Sequence, residues 1–387
     1  YAHADQHAIV FHPQYDGVTN RTMYVGNDGG VQRTLNARAA VGSTTAAVCG
    51  APVAGAVTWE DRSNGYVTTQ FYDGVAYPDG QTYFGGLQDN GTLRGSAASL
   101  NGSVLAGGDG GYVAVNTLGD ATPGNDVLFL ENTGNSMQRS TNGGTSFQSV
   151  AVPGASGFLF IAPFTMDEGN RQRLWAGGFD IWRTTNQATN WTRMTSVNGT
   201  CGSGSVSAFA VHPQDGNRVL VGMSDGCFHV RTDALGAPTA GLWPGGTILA
   251  NNFISWMAWD PTNLNVGYAT ISNFGVANVF KTTNAGLSWA PAVGSGAGAL
   301  PQIPALSVAV NPNNGSQVFV GTDLGVFTSN DGGASWMVEN TGFARTPVEA
   351  LKFDQAGTRL FAFTHGRGAW RTQLCTTCRS IGGNVTG

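Results

Sequence analysis

Acidic residues set in glycine-rich turns carry the most chemical potential in this sequence. Asp28 stands in Asn27-Asp28-Gly29-Gly30, Asp89 before Asn90-Gly91, and Asp109 in Gly107-Gly108-Asp109-Gly110-Gly111. Asp180 follows Gly177-Gly178-Phe179, Asp225 precedes Gly226, and Asp323 precedes Leu324-Gly325. Two carboxyl groups facing each other across a sugar can hydrolyse a glycosidic bond, one as acid and the other as nucleophile or base. Asp89, Asp180, Asp225 and Asp323 stand as ligand-binding candidates beside Asp28 and Asp109. His365 and Arg367, in Thr364-His365-Gly366-Arg367-Gly368, add a titratable and a cationic group. Exposed aromatics stack on sugar rings, so Trp182 and Trp243, with Phe179 and Phe274, are candidates for a carbohydrate platform. Turn formation is the simpler reading of any single Asp, because Asp and Gly tolerate the left-handed angles that hairpins need.

No HExxH, EF-hand, Walker or GxSxG sequence occurs, so no cofactor is expected. Should the acidic side hold an ion, oxygen ligands favour calcium. His3 and His7 are four residues apart, a spacing read here as one that a helix would align and a strand or loop would not. Cys201 and Cys227 fall after a fourth and a following second strand, on one side of one repeat, where a disulfide is geometrically feasible. Such a bond agrees with an exported, oxidising setting. Cys375 and Cys378 form a lone CxxC, too little for a zinc ribbon, and Cys49 is left over.

These residues need a scaffold, and the scaffold is repetitive. Val326–Trp336 reads as a short strand, a tight turn of Ser329, Asp331 and Gly333, and an indole. The pattern Ser/Thr-x-Asn/Asp-x-x-x-x-Trp/Phe recurs at Ser140–Phe147, Thr184–Trp191 and Thr282–Trp289, and a copy split by an insertion runs from Thr34 to Trp59. Apolar strands closed by X-Pro or Asp-Gly open each unit, as in Phe209–Pro213 and Val308–Pro312. First strands near Ile9, Phe71, Tyr112, Phe158, Ala208, Trp256, Leu306 and Leu351 are spaced 41 to 50 residues apart, save a first gap of 62 that contains residues 37–57. Four short strands per such period specify a β-propeller. The expected fold is all-β with about eight four-stranded blade units over residues 1–374, the alternative being seven blades plus an orphan unit. The last unit lacks an obvious fourth strand. Residues 37–57 and 234–252 read as long loops, and 375–387 as a tail or linker.

The composition agrees. The chain has 387 residues, 57 of them glycine, and only 11% charged residues, against a usual ~25%. A net charge of −5 without a Lys/Arg cluster makes nucleic acid an unexpected partner. No apolar run of 18 residues is present, so no spanning helix is expected. The chain begins at Tyr1 without initiator Met or signal peptide, which fits a processed or truncated product.

The box resembles the Asp-box, or BNR, repeat of sialidases, sortilin-type receptors, photosystem II assembly factors and family 74 glycoside hydrolases. His3-Ala4-Asp5-Gln6-His7-Ala8, Gly26–Gly30, Gly85–Thr92 and Thr364–Gly368 extend the likeness to secreted bacterial glycosyl-hydrolase-like proteins. The resemblance implies a structural role for the box. It also implies that an enzyme of this kind would be a glycoside hydrolase, with Asp28 and Asp109 matching the family 74 acidic phrases. The Arg-Ile-Pro signature of sialidases is missing. A secreted, periplasmic or surface propeller that binds a glycan or protein partner without chemistry is the leading expectation. Hydrolysis of a polysaccharide, and a scaffold role beside a neighbouring propeller or in an envelope complex, are its rivals.

Overall fold

The computed structural model describes residues 3, 5–39, 57–63, 68–117, 124–197, 201–236, 243, 245–249, 251–340, 342–343 and 345–374. Most of the 37–57 insertion, much of 234–252, Cys49, and the tail with Cys375 and Cys378 lie outside them. Every described strand belongs to an up-and-down antiparallel sheet. Seven sheets have four strands and one has three, so the eight expected repeats are eight sheets. Among the described residues the three-strand sheet is the last, Val348–Gln373, where the sequence also offers no fourth strand.

The described residues fall into two compact units, 1–69 and 70–387. The first holds one sheet: Gln6–Phe11, Met23–Asn27, Gly30–Thr34 and Glu60–Asp61. Its first strand is exposed along its length, with Ile9 at 60%, Val10 at 59% and Phe11 at 49%.

The second unit contains seven blades, spanning 71–106, 113–149, 164–196, 206–248, 254–291, 305–338 and 348–373. First strands of successive blades pack side by side, and that of blade seven returns to that of blade one. Seven apolar clusters fill the seven interfaces. The closing one is Phe71 and Leu87 of blade one against Ala350, Phe361 and Phe363 of blade seven. Seven blades therefore close a ring. With the sheet of the 1–69 unit they make up the eight expected blade units.

Glycine makes that closure possible at one place. A Cβ on Gly74 would overlap the buried Phe363 ring. Near the ring axis, side chains from non-neighbouring blades meet. Lys352 Nζ lies 3.3 Å from Asp73 Oδ1 and 4.6 Å from the centre of the Trp256 ring, which stacks on Tyr112.

The boxes sit in the turns between third and fourth strands, and all four described copies share one bond pattern. The Ser/Thr hydroxyl accepts the backbone N–H four residues on: Gly144 to Ser140, Ala188 to Thr184, Gly286 to Thr282, Gly333 to Ser329. The Asn/Asp Oδ1 accepts the N–H of Ser146, Asn190, Ser288 or Ser335. Each aromatic then wedges against the preceding blade. Trp191 Nε1 donates to Val150 O and Trp336 Nε1 to Ala292 O, both at 2.9 Å.

A second device recurs at the other ends of the strands. In blades one, four, five, six and seven the first strand slips register by one residue near its start, leaving Tyr72, Ser207, Ser255, Leu306 and Glu349 as the extra residue. The N-terminal sheet does the same at His7. Bulges bend a strand and re-aim a side chain, and they gather at barrel rims and active sites.

Candidate functional site: the acidic mouth of the ring

Meander order puts the loops after strands two and four on one face of each blade. On that face of the 70–387 unit the structure gathers residues from blades one, two, six and seven. The Asp89 backbone N–H donates to Asp109 Oδ1 at 2.9 Å, tying the second turn of blade one to the link into blade two. Asp89 itself adopts a left-handed φ of 58°, a turn position that Asp tolerates. Burial foremost, and then the charges of Asp109, Asp89 and Glu349, raise the Tyr72 phenol above its ordinary value. The His365 ring meets Tyr72 edge-on at 6.1 Å, and its Nδ1 lies 3.6 Å from Glu349 Oε1. Burial lowers the pKa of His365, which favours neutral imidazole.

Two glutamates that the repeat pattern did not single out have strongly raised carboxyl groups here. Glu349, with a side chain 26% exposed, is pushed up to about 7 by burial and then by Asp323. Glu131 is 2% exposed and pushed up to about 9 by burial; the N–H groups of Ala162 and Tyr112 oppose the shift, and Asp109 adds to it. Glu131 therefore braces blade two against the entry to blade three as a neutral acid. Glu349 is the accessible one, and near neutral pH both its carboxyl and carboxylate forms are populated. Glu349 is the second residue of its strand, the place that Tyr72 and His7 hold in theirs, and only the strand pairing marks that place as a bulge.

The other candidates are distributed differently. Asp28 lies in the 1–69 unit and Asp109 in the 70–387 unit, so neither unit holds the leading pair. Asp180 pairs with Arg193 at 2.7 Å across the third and fourth strands of blade three, and Asp225 accepts the N–H groups of Gly204 and Cys227, tying the link into blade four to the turn before Cys227. Arg367 donates its backbone N–H to Thr364 Oγ1 within the blade-seven turn. Trp182 is half-buried between blades two and three. Trp243, expected as an exposed platform, is 3% exposed and packs edge-on against Trp175 at 5.7 Å, because apolar area gains more from the core than from solvent. Cys201 and Cys227 are joined as a disulfide with Cα atoms 6.0 Å apart.

Among the described residues, exposed large apolar side chains in the connections of this face include Phe160, Phe253, Phe274 and Leu324, at 61%, 37%, 64% and 49%. All four lie in second-to-third or fourth-to-first connections. A polar recess of about 430 Å³ opens on the opposite face, beside Asp260, Tyr268, Lys281 and Asp331. Its Lys281 Nζ and Tyr268 hydroxyl both donate to Gly332 O, at 2.9 and 3.2 Å. Among the described residues no helix is long and apolar enough to cross a membrane.

No protein-family model matches the chain, and no curated protein matches it by sequence. Solved structures do resemble it. The family 74 xyloglucanase of Xanthomonas campestris aligns over 79% of this chain and 52% of its own, at 18% identity and a TM-score of 0.56. The chain thus spans about half the length of that enzyme. YCF48 bound to a D1 peptide aligns over 81% of this chain and 94% of its own, at 15% identity and a TM-score of 0.55. YCF48 from Cyanidioschyzon merolae covers 79% and 96%, at 14% identity and 0.58. At such identities the likeness establishes the shared propeller fold.

Proposed function

We propose that this chain is an exported Asp-box β-propeller that works as a non-enzymatic binding and scaffold module. Its acidic mouth takes a polypeptide segment carrying basic and apolar side chains. The observation that carries this reading is the company kept on one face of the ring. Exposed Phe160, Phe253, Phe274 and Leu324 stand on the same side as Asp89, Asp109, Asp323 and Glu349. Aromatic anchors with complementary charge are what a protein interface uses for affinity and register. The fold likeness to a YCF48 structure holding a peptide supports a protein partner, and the disulfide supports an exported setting.

The test is binding of the full chain to matched peptides, basic–apolar against acidic–apolar, with a glycan panel in parallel. Basic–apolar peptides should bind, weaken as salt rises, and lose about tenfold in affinity for the triple variant Asp109→Asn, Asp323→Asn, Glu349→Gln. Binding that ignores the triple variant, or that selects glycans alone, would overturn the assignment.

One observation favours hydrolysis as a second reading: Glu349, held near 7 beside Asp323, is a carboxyl able to donate a proton at neutral pH next to a second carboxyl. Reducing-sugar release from a panel of β-glucans decides it. Activity lost in Glu349→Gln supports an enzyme; equal background in wild type and variant removes that reading.

A further inference from the structure

His3, Asp5 and Asp28, all in the 1–69 unit, bring one donor atom each to within 4.8 Å of one another. Asp28 is the first residue of a two-residue hairpin between Asn27 and Gly30, and the hairpin is pinned on several sides. Gly29 N–H donates to Asn27 Oδ1 at 3.0 Å, and Asn27 Nδ2 donates to Gln6 Oε1 at 3.2 Å and to Gln32 Oε1 at 2.5 Å. Gln6 in turn donates through Nε2 to His3 O. Gly29 lets the His3 side chain lie this close, since a Cβ there would stand 3.0 Å from the His3 Cβ. His7, re-aimed by the bulge in its strand, places Nε2 2.5 Å from Asp28 Oδ1.

We propose that His3, Asp5 and Asp28 form a binding site for a divalent first-row transition ion of the zinc class, with His7 holding the Asp28 carboxylate in place. The donor chemistry selects the ion. One imidazole nitrogen and two carboxylate oxygens match zinc's nitrogen and oxygen ligands, with solvent completing the four positions. Calcium wants six to eight oxygens, and two carboxylates supply too few. Tetrahedral bonds of about 2.0–2.1 Å set donors roughly 3.3 Å apart, so modest rotation of partly exposed side chains closes the site. His7 is the partner that such ligating carboxylates usually have. The Cys201–Cys227–His229 grouping offers no competing site while its sulfurs are bonded to each other.

Zinc titration of the full chain by calorimetry, after alkylation of free thiols to silence Cys49, Cys375 and Cys378, tests the site. One equivalent of Zn²⁺ should bind, at least about tenfold tighter than Ca²⁺. His3→Ala and Asp28→Asn should each abolish stoichiometric binding, and His7→Ala should weaken it about 10–100-fold. Cobalt substitution should give visible bands without thiolate charge transfer. Absence of binding, preference for Ca²⁺, or unchanged affinity in His3→Ala overturns the proposal. Should Asp28→Asn fail to fold by circular dichroism, His3→Ala and Asp5→Asn, both in the segment leading into the sheet, decide alone.

Discussion

Glu131 shows what burial does to a single ionisable group. Its folded value of about 9 stands above the ordinary 4.5, so the folded chain keeps a proton that the unfolded chain releases. The stabilisation is complete below pH 4.5, declines as pH rises, and is gone once pH passes about 9. Glu131→Gln keeps the shape and removes the titration. Urea unfolding at pH 6 and pH 9 should therefore show a smaller loss of stability for the variant than for wild type. Equal losses would mean that Glu131 is charged in the fold. Asp331, by contrast, is brought down to about 2, chiefly by the Ser335 hydroxyl.

At the level of the element, the box was legible because everything that makes it is local. Ser329, Asp331, Gly333 and Ser335 satisfy one another within seven residues, so spacing alone reveals the turn. The indole adds the long-range part. Trp336→Ala should cost about 3–5 kcal/mol for the lost core volume. Ser329→Ala should cost about 1–3 kcal/mol, because it strands the buried Gly333 N–H. Chemical denaturation that gives equal small losses for both would reduce the box to a surface turn. The bulges were not legible in the same way. A one-residue slip depends on how the first strand pairs with the second, so Tyr72 and Glu349 read as ordinary strand residues until the ladder is seen. Trp243 was misjudged for a similar reason, since only the ring's packing reveals that a loop tryptophan has a buried partner in Trp175.

For the whole molecule, repeat spacing gave eight sheets, but the number that close was set by a contact distant in sequence, between residues near 71–87 and 350–363. Gly74→Ala tests that contact. A methyl pushed into Phe363 should destabilise the 70–387 unit by about 1–3 kcal/mol. In a calorimetric melt, its transition should fall. An unchanged ring transition would mean that closure does not depend on this glycine. The exposed strand of the first unit has its own consequence, since a run such as Ile9-Val10-Phe11 is adhesive in water. Val10→Lys should lower concentration-dependent association in sedimentation velocity, and equal association would place the adhesive surface elsewhere. The contacts of Lys352 with Trp256 and of Trp256 with Tyr112 run from blade seven through blade five to the entry of blade two, so they couple parts of the ring that share no edge, and a replacement at Trp256 acts on three blades at once.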